Sequence, residues 1–159
     1  MNKLFRSPKG FSLVEILVVM VIIAILAAIV LTSVNSARAK ARDARRVKDV
    51  ENLMGAVELY MANKGQYPSV GSNDTGYLIS SLQPVLVPGY LVSIPKDPQY
   101  PNVASQQGDY QYVSGGAGSY GIWAYFETAQ GSVPANSRCI AGKNINSAWF
   151  SNPPLCPFN

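Results

Sequence analysis

The chain has 159 residues, 48% of them apolar and only 14% charged, a length and composition that suit one domain. The apolar residues are not spread evenly: sixteen run without interruption from Ile16 to Leu31, which excludes an ordinary soluble domain and a disordered tail. The net charge is +4 and there is no histidine. The commonest general base, the Ser-His and Cys-His nucleophile pairs and most transition-metal sites are therefore excluded, and no enzyme is expected.

Met1 to Gly10 is short, polar and basic, with Lys3, Arg6 and Lys9. Phe11 to Leu31 is apolar apart from Ser12 and Glu15. As a helix of about 31 Å it matches the thickness of the bilayer hydrocarbon. A cleaved secretory signal has a shorter core followed by a small-residue cleavage site, which this segment lacks, and a buried core helix is a further alternative with a shorter apolar stretch than this one. The segment is therefore read as a membrane span.

The helix is expected to continue. No proline occurs between Phe11 and Ala62, and Gly55 is the one glycine in that stretch. Ala37, Ala41 and Ala44 recur at helical spacing, as do Val50, Met54, Val57 and Met61 on a different arc. Arg38, Arg42, Arg45 and Asp49 fall on a third. The bulkier arc is expected to pack on the chain's own head. Asn63-Lys64-Gly65 supplies a cationic last turn and a terminal glycine, with Pro68 beyond. The reading is one helix from about residue 11 to about residue 63, some 80 Å long.

Arg38, Lys40, Arg42, Arg45, Arg46 and Lys48 follow the span with Asp43 alone among them, whereas from Glu51 onward four bases face six acids. The high pI thus comes from the first third. The basic cluster reads first as a solvated helix neck that touches lipid headgroups. A second reading is salt bridging to the heads of neighbouring subunits. Nucleic acid is not an expected partner, because no aromatic residues are interleaved with these charges. By the positive-inside rule alone, the cluster would place the head in the cytoplasm.

After Gly65 glycine, proline, tyrosine and serine dominate. Tyr77 to Leu82 reads as a short helix under a loop. Tyr110 to Val113 alternates, Ser114 to Gly118 turns, and Tyr120 to Thr128 alternates again. Tyr120, Ile122, Ala124 and Phe126 share one face, and Trp123 and Tyr125 the other, which predicts an antiparallel hairpin. A weaker third strand is expected around Arg138 to Ala141, and an irregular tail from Asn144. The tyrosines read as sheet packing. The glycine run at Gly115 to Gly118 lacks the lysine and following helix of a phosphate loop. Cys139 and Cys156 are the two cysteines. Without histidine they leave a zinc site incomplete, so they are either a disulfide, if this end leaves the cytoplasm, or two unrelated thiols. A disulfide here closes a loop of roughly 18 residues, worth about 3 kcal/mol.

Glu15 is the informative residue, because a carboxylate inside a span costs several kcal/mol unless paired. A cut between Gly10 and Phe11 places a new amine four residues before it on the same helical face, within one chain or between neighbours. It also removes Lys3, Arg6 and Lys9, lowering the charge from +4 to about +1.

Lys9-Gly10-Phe11-Ser12-Leu13-Val14-Glu15 resembles the processing site of type IV prepilins and type II secretion pseudopilins. Leu59 to Pro68 is similar to the end of the long helix in these proteins, and Ile94-Pro95-Lys96-Asp97-Pro98 with the tyrosine-rich hairpin resembles the head of the major pseudopilins. The terminal cysteine pair looks like the disulfide loop of many type IV pilins. The resemblance implies an α+β fold, a long N-terminal helix packed on a small antiparallel sheet. It implies a leader, residues 1–10, removed by prepilin peptidase after Gly10, and N-methylation of Phe11. It implies a transmembrane and filament-core helix over 11–31, an amphipathic continuation over 32–64 and a head over 65–159. The partners it implies are further copies in a helical filament, the peptidase, an inner-membrane assembly platform and membrane lipid, with no small-molecule substrate. Glu15 would face the amine of an adjacent subunit, and the head would stand outside the cytoplasm.

This chain departs from the family in two places, with Thr32 where many members carry proline and Ala24 where many carry glycine. Thr32, Ser33, Asn35 and Ser36 are weak helix formers and could still yield. Cofactors are expected to be none. The resemblance admits calcium in a head loop, but Asp97 and Asp109 are the only carboxylates between Gly76 and Phe126, and no ligand set is named. The cysteine pair points toward a pilus and the Asp97-Pro98 region toward a pseudopilus. The alternative is a membrane-anchored binding protein that never polymerises and keeps residues 1–10.

Overall fold

The computed structural model describes residues 10–101, 109–116, 118–146, 149 and 154–158. Residues 1–9 of the expected leader over 1–10 lie outside them, as do parts of the glycine-rich turn and of the tail. The fold is α+β, a long helix with a small antiparallel sheet. Two compact units divide after Arg38, and helix α1, Leu13–Lys64, contributes to both.

α1 begins two residues later than the apolar pattern suggested, for a local reason. The Ser12 N–H donates to Glu15 Oε2 at 2.8 Å and the Val14 N–H approaches Ser12 Oγ at 3.4 Å. Ser12 thus caps the helix and Glu15 reaches back to it, the reciprocal pattern of a capping box. The helix is unbroken through Ala24 and the 32–36 segment, so the weak formers there do not interrupt it. It ends at Gly65, whose φ of +75° supplies the left-handed cap and whose N–H donates to Met61 O at 2.8 Å.

In the first unit every residue from Gly10 to Leu31 is exposed. The second unit buries its core between α1 and four strands. These are β1 Gly76–Leu78, β2 Gln111–Ser114, β3 Tyr120–Phe126 and β4 Ser137–Lys143, antiparallel and in chain order across the sheet. β1 corrects the sequence reading, because Tyr77 and Leu78 pair with β2 instead of starting a helix. A 3-10 helix, Ile79–Leu82, and a short α2, Gln83–Leu86, follow it directly. Their Ile79, Leu82 and Leu86 are buried in the core.

Val50 and Val57 are buried as the helical stripe predicts, joined by Leu53 and Ala56. They meet Tyr112, Tyr120, Ile122, Ala124 and Phe126 from the inner sheet face. Each large aliphatic side chain so buried contributes about 1.5–3 kcal/mol. The other sheet face is covered too. Val113, Trp123, Ile140 and Trp149 form a second buried cluster there, and the Trp149 indole N–H donates to Asp74. β3 and β4 approach closely where Gly121 faces Gly142. A Cβ on Gly142 would lie 2.2 Å from the Tyr120 carbonyl oxygen, so only glycine fits.

Cys139 and Cys156 are disulfide-bonded, with Cα atoms 5.1 Å apart. The bond joins the last described segment to the outer edge of β4. The Ile140 N–H donates to Pro154 O at 3.1 Å and the Cys156 N–H to Ile140 O at 3.0 Å, a parallel bridge that covers that edge.

Candidate functional site

Two groups of side chains carry chemistry, one in each unit. In the first unit, Gly10 is exposed and a Cβ there would meet none of the described residues within 4 Å. The local fold does not require glycine at this position. Phe11 is 84% exposed. Glu15, one turn further on, is also exposed, and its carboxylate is engaged by the Ser12 amide. The long apolar face that follows has no cover within the described residues: none of the most apolar window of α1 is buried, and the helix is long and apolar enough to cross a membrane.

In the second unit the polar centre is Arg46, which is fully buried. All five of its N–H donors are used. Nε and Nη2 fork onto the Asp97 carboxylate at 2.7 and 3.0 Å. Nη1 reaches Asp43 Oδ1 and Glu127 Oε1, each at 2.7 Å, and Nη2 also reaches Gln99 Oε1 at 3.0 Å. One turn earlier, Arg42 forks onto Glu127 at 2.7 and 2.6 Å. Asp43 in turn accepts from the Glu127 N–H, the Thr128 N–H and the Thr128 hydroxyl at 3.1, 2.8 and 2.6 Å. Two cations thus bind three carboxylates and tie α1 to the 94–100 loop and to the turn after β3.

This corrects the expectation of a solvated basic neck for two of its six cations, while Arg38, Lys40, Arg45 and Lys48 are exposed as expected. Arg42 and Arg46 face inward, and their acidic partners belong to the same chain. The sequence carries a signal for this: Asp43 and Arg46 stand seven and four residues before Val50, and so extend the buried stripe toward the N-terminus. On an apolar stripe, charges at those positions announce buried partners.

The electrostatics follow. Burial alone would lower the Arg46 pKa, but hydrogen bonds to Asp97, Glu127 and Asp43 raise it above its ordinary value. Hydrogen bonds from Arg42, against burial and with help from Arg46, hold Glu127 down at about 2. Burial raises Asp49, opposed by the Tyr110 hydroxyl, and burial raises Asp109 against the Asp97 and Tyr110 amides. These shifts predict a two-phase pH profile. Stability should rise as pH falls from neutral toward the raised values of Asp49 and Asp109, because the native state takes up protons there. It should then decline as pH falls from 4.5 toward 2, where Glu127 is protonated. Urea midpoints across that range check it, and a monotonic fall from neutral would contradict the Asp49 and Asp109 shifts.

Among the described residues no group of three or more His, Cys, Asp or Glu side chains could hold a metal ion. Asp97 is committed to Arg46, and the Asp109 carboxylate accepts the Asp97 and Tyr110 N–H groups at 3.0 and 2.8 Å. The arrangement is a strut between elements, with no nucleophile aligned on a base.

An exposed Gly-Phe pair and a first-turn glutamate, heading an uncovered apolar helix that continues into a sheet-backed head, define a prepilin-type protein. The profile of the prokaryotic N-terminal methylation motif matches residues 5–31. Over 149 residues the chain is 31% identical to the type II secretion system core protein G of Klebsiella michiganensis, covering 89% of this chain and 96% of that protein. The chain therefore belongs to the type II secretion core protein G family of pseudopilins. No solved structure matches it.

Proposed function

We propose that this chain is a structural subunit of a type II secretion pseudopilus, made as a prepilin in the inner membrane with its head outside the cytoplasm. The observation that carries the reading is Gly10-Phe11, free of any local steric demand for glycine, placed just ahead of Glu15 and an uncovered apolar helix. A peptidase that cuts after this residue would account for a glycine that the described fold does not need. The cut releases residues 1–10, and methylation follows on the Phe11 amine. The relative's identity over most of both chains favours a pseudopilus over a pilus.

The new amine stands one residue from the Ser12 amide that Glu15 already accepts. Glu15 is thus held at the end of the helix, where an amine from an adjacent subunit can replace that contact. Pairing removes the cost of two isolated charges in hydrocarbon and sets the register of one subunit on the next. The apolar helices over 11–31 then form the filament core and the heads its surface. The reading calls for no cofactor, since Arg46 already neutralises the one carboxylate of the Pro95-to-Pro98 segment.

Intact mass and N-terminal sequence of the protein from membranes that hold its own peptidase test the reading. The expected start is an N-methylated Phe11, and Gly10→Ala should leave the precursor uncut. An intact Met1 or Asn2 start would make the chain a signal-anchored binding protein. Glu15→Leu should be cut normally yet assemble poorly; filaments at wild-type yield from that variant would sink the pairing mechanism.

A further inference from the structure

The six cations after the span divide into three kinds. Arg42 and Arg46 are spent on the head's own carboxylates. Arg45 and Lys48 each lie near an acid on the same helix, Asp49 at 3.7 Å and Glu51 at 3.4 Å. Arg38 and Lys40 are exposed, and none of the chain's nine acidic side chains, all of which are described, forms an ion pair with either. The chain's own described carboxylates do not supply their partner.

Their position indicates what can. Arg38 stands seven residues past Leu31, the last of the apolar run, which is about 10 Å of helix. The headgroup layer on each side of a bilayer is roughly 5–8 Å thick. A long cationic side chain reaches back several ångströms along its own apolar stem. The intervening Thr32, Ser33, Asn35 and Ser36 suit a polar interface. Residues two apart leave a helix on different sides, so no single protein face reads both cations. A layer of phosphates surrounds a helix that passes through it and meets both.

We propose that Arg38 and Lys40 form a collar that binds anionic phospholipid headgroups in the leaflet on the head's side. The collar fixes the depth of the subunit before assembly and is given up when the subunit is extracted into a filament. The proposal rests on the reading of residues 11–31 as a span.

The test uses the full unprocessed chain reconstituted in phosphatidylcholine vesicles containing about a third phosphatidylglycerol, an anionic fraction large enough to set a surface potential. Polymer-excised discs around the protein are then analysed for lipid. Wild type should hold phosphatidylglycerol enriched about threefold over the Arg38→Gln/Lys40→Gln variant, with the excess lost in high salt. A Lys64→Gln/Lys143→Gln variant, altered at the far end of α1 and on β4, should match wild type. Equal enrichment in wild type and the Arg38→Gln/Lys40→Gln variant overturns the collar alone. A chain stripped from the vesicles by alkaline carbonate overturns the span and the collar together.

Discussion

Replacing Arg46 with methionine is expected to cost the folded chain about 3–5 kcal/mol, the range for removing one partner from a buried charge set. The substitution leaves Asp43 and Asp97, 1% and 5% exposed, without the cation that both face. The cost is that of stranded carboxylates more than of the lost attraction. Three separate pieces of chain also lose their common partner: α1 itself, the 94–100 loop, and the turn at Glu127 and Thr128. Lysine should not rescue, because a single ammonium carries three donors where the site uses five and cannot fork onto Asp97. Urea denaturation of the full chain in detergent, followed by tyrosine and tryptophan fluorescence, measures the loss. A change under 1 kcal/mol for methionine would show that the carboxylates find water or each other, and the strut would not be what holds the helix to the head. Arg42→Ala should cost less, since Arg42 keeps 31% of its side-chain surface exposed and Glu127 retains Arg46.

Much of this architecture was legible because its signals are local. α1 announces itself by period, by the absence of proline and by the terminal glycine. The Val50 to Met61 stripe identifies the face that packs. β3 alternates so cleanly that its inner and outer residues could be assigned from the sequence, and the inner cluster contains Tyr120, Ile122, Ala124 and Phe126 as expected. The illegible parts depend on distant partners. Arg46 meets Asp97 and Glu127 across 51 and 81 residues, and no spacing rule links them. β1 is three residues long, too short to show a period, and the 3-10 helix that follows it blurs its end. The second cluster needs Trp149, which comes from an irregular tail without a pattern to read. The N-terminal motif was legible too, because its residues are consecutive, and the methylation-motif profile matches residues 5–31.

Breaking the Cys139–Cys156 bond is expected to lower stability by about 3 kcal/mol, the loop-closure value for a bond spanning this many residues. The structure adds where the loss should fall. The bond lies in the inner core beside Ala124 and Phe126, while the backbone on either side of it pairs Ile140 with Pro154 and Cys156 at the outer edge of β4. Two hydrogen bonds, which together make a single bridge, are too few to hold a proline-bearing segment against its own entropy. With Cys139→Ser the segment should therefore leave β4, expose the edge and uncover Phe158, which packs against Phe126 at 6.0 Å. Hydrogen exchange reads this directly. The amides of Ile140 and Cys156 should lose protection first, while those of β2, which lies two strands away, keep theirs until global unfolding. Uniform loss across the sheet would mean that the bond acts only on the unfolded chain. Unchanged protection at Ile140, or two free thiols on labelling the exported wild type, would remove the disulfide from the account of how this edge is closed.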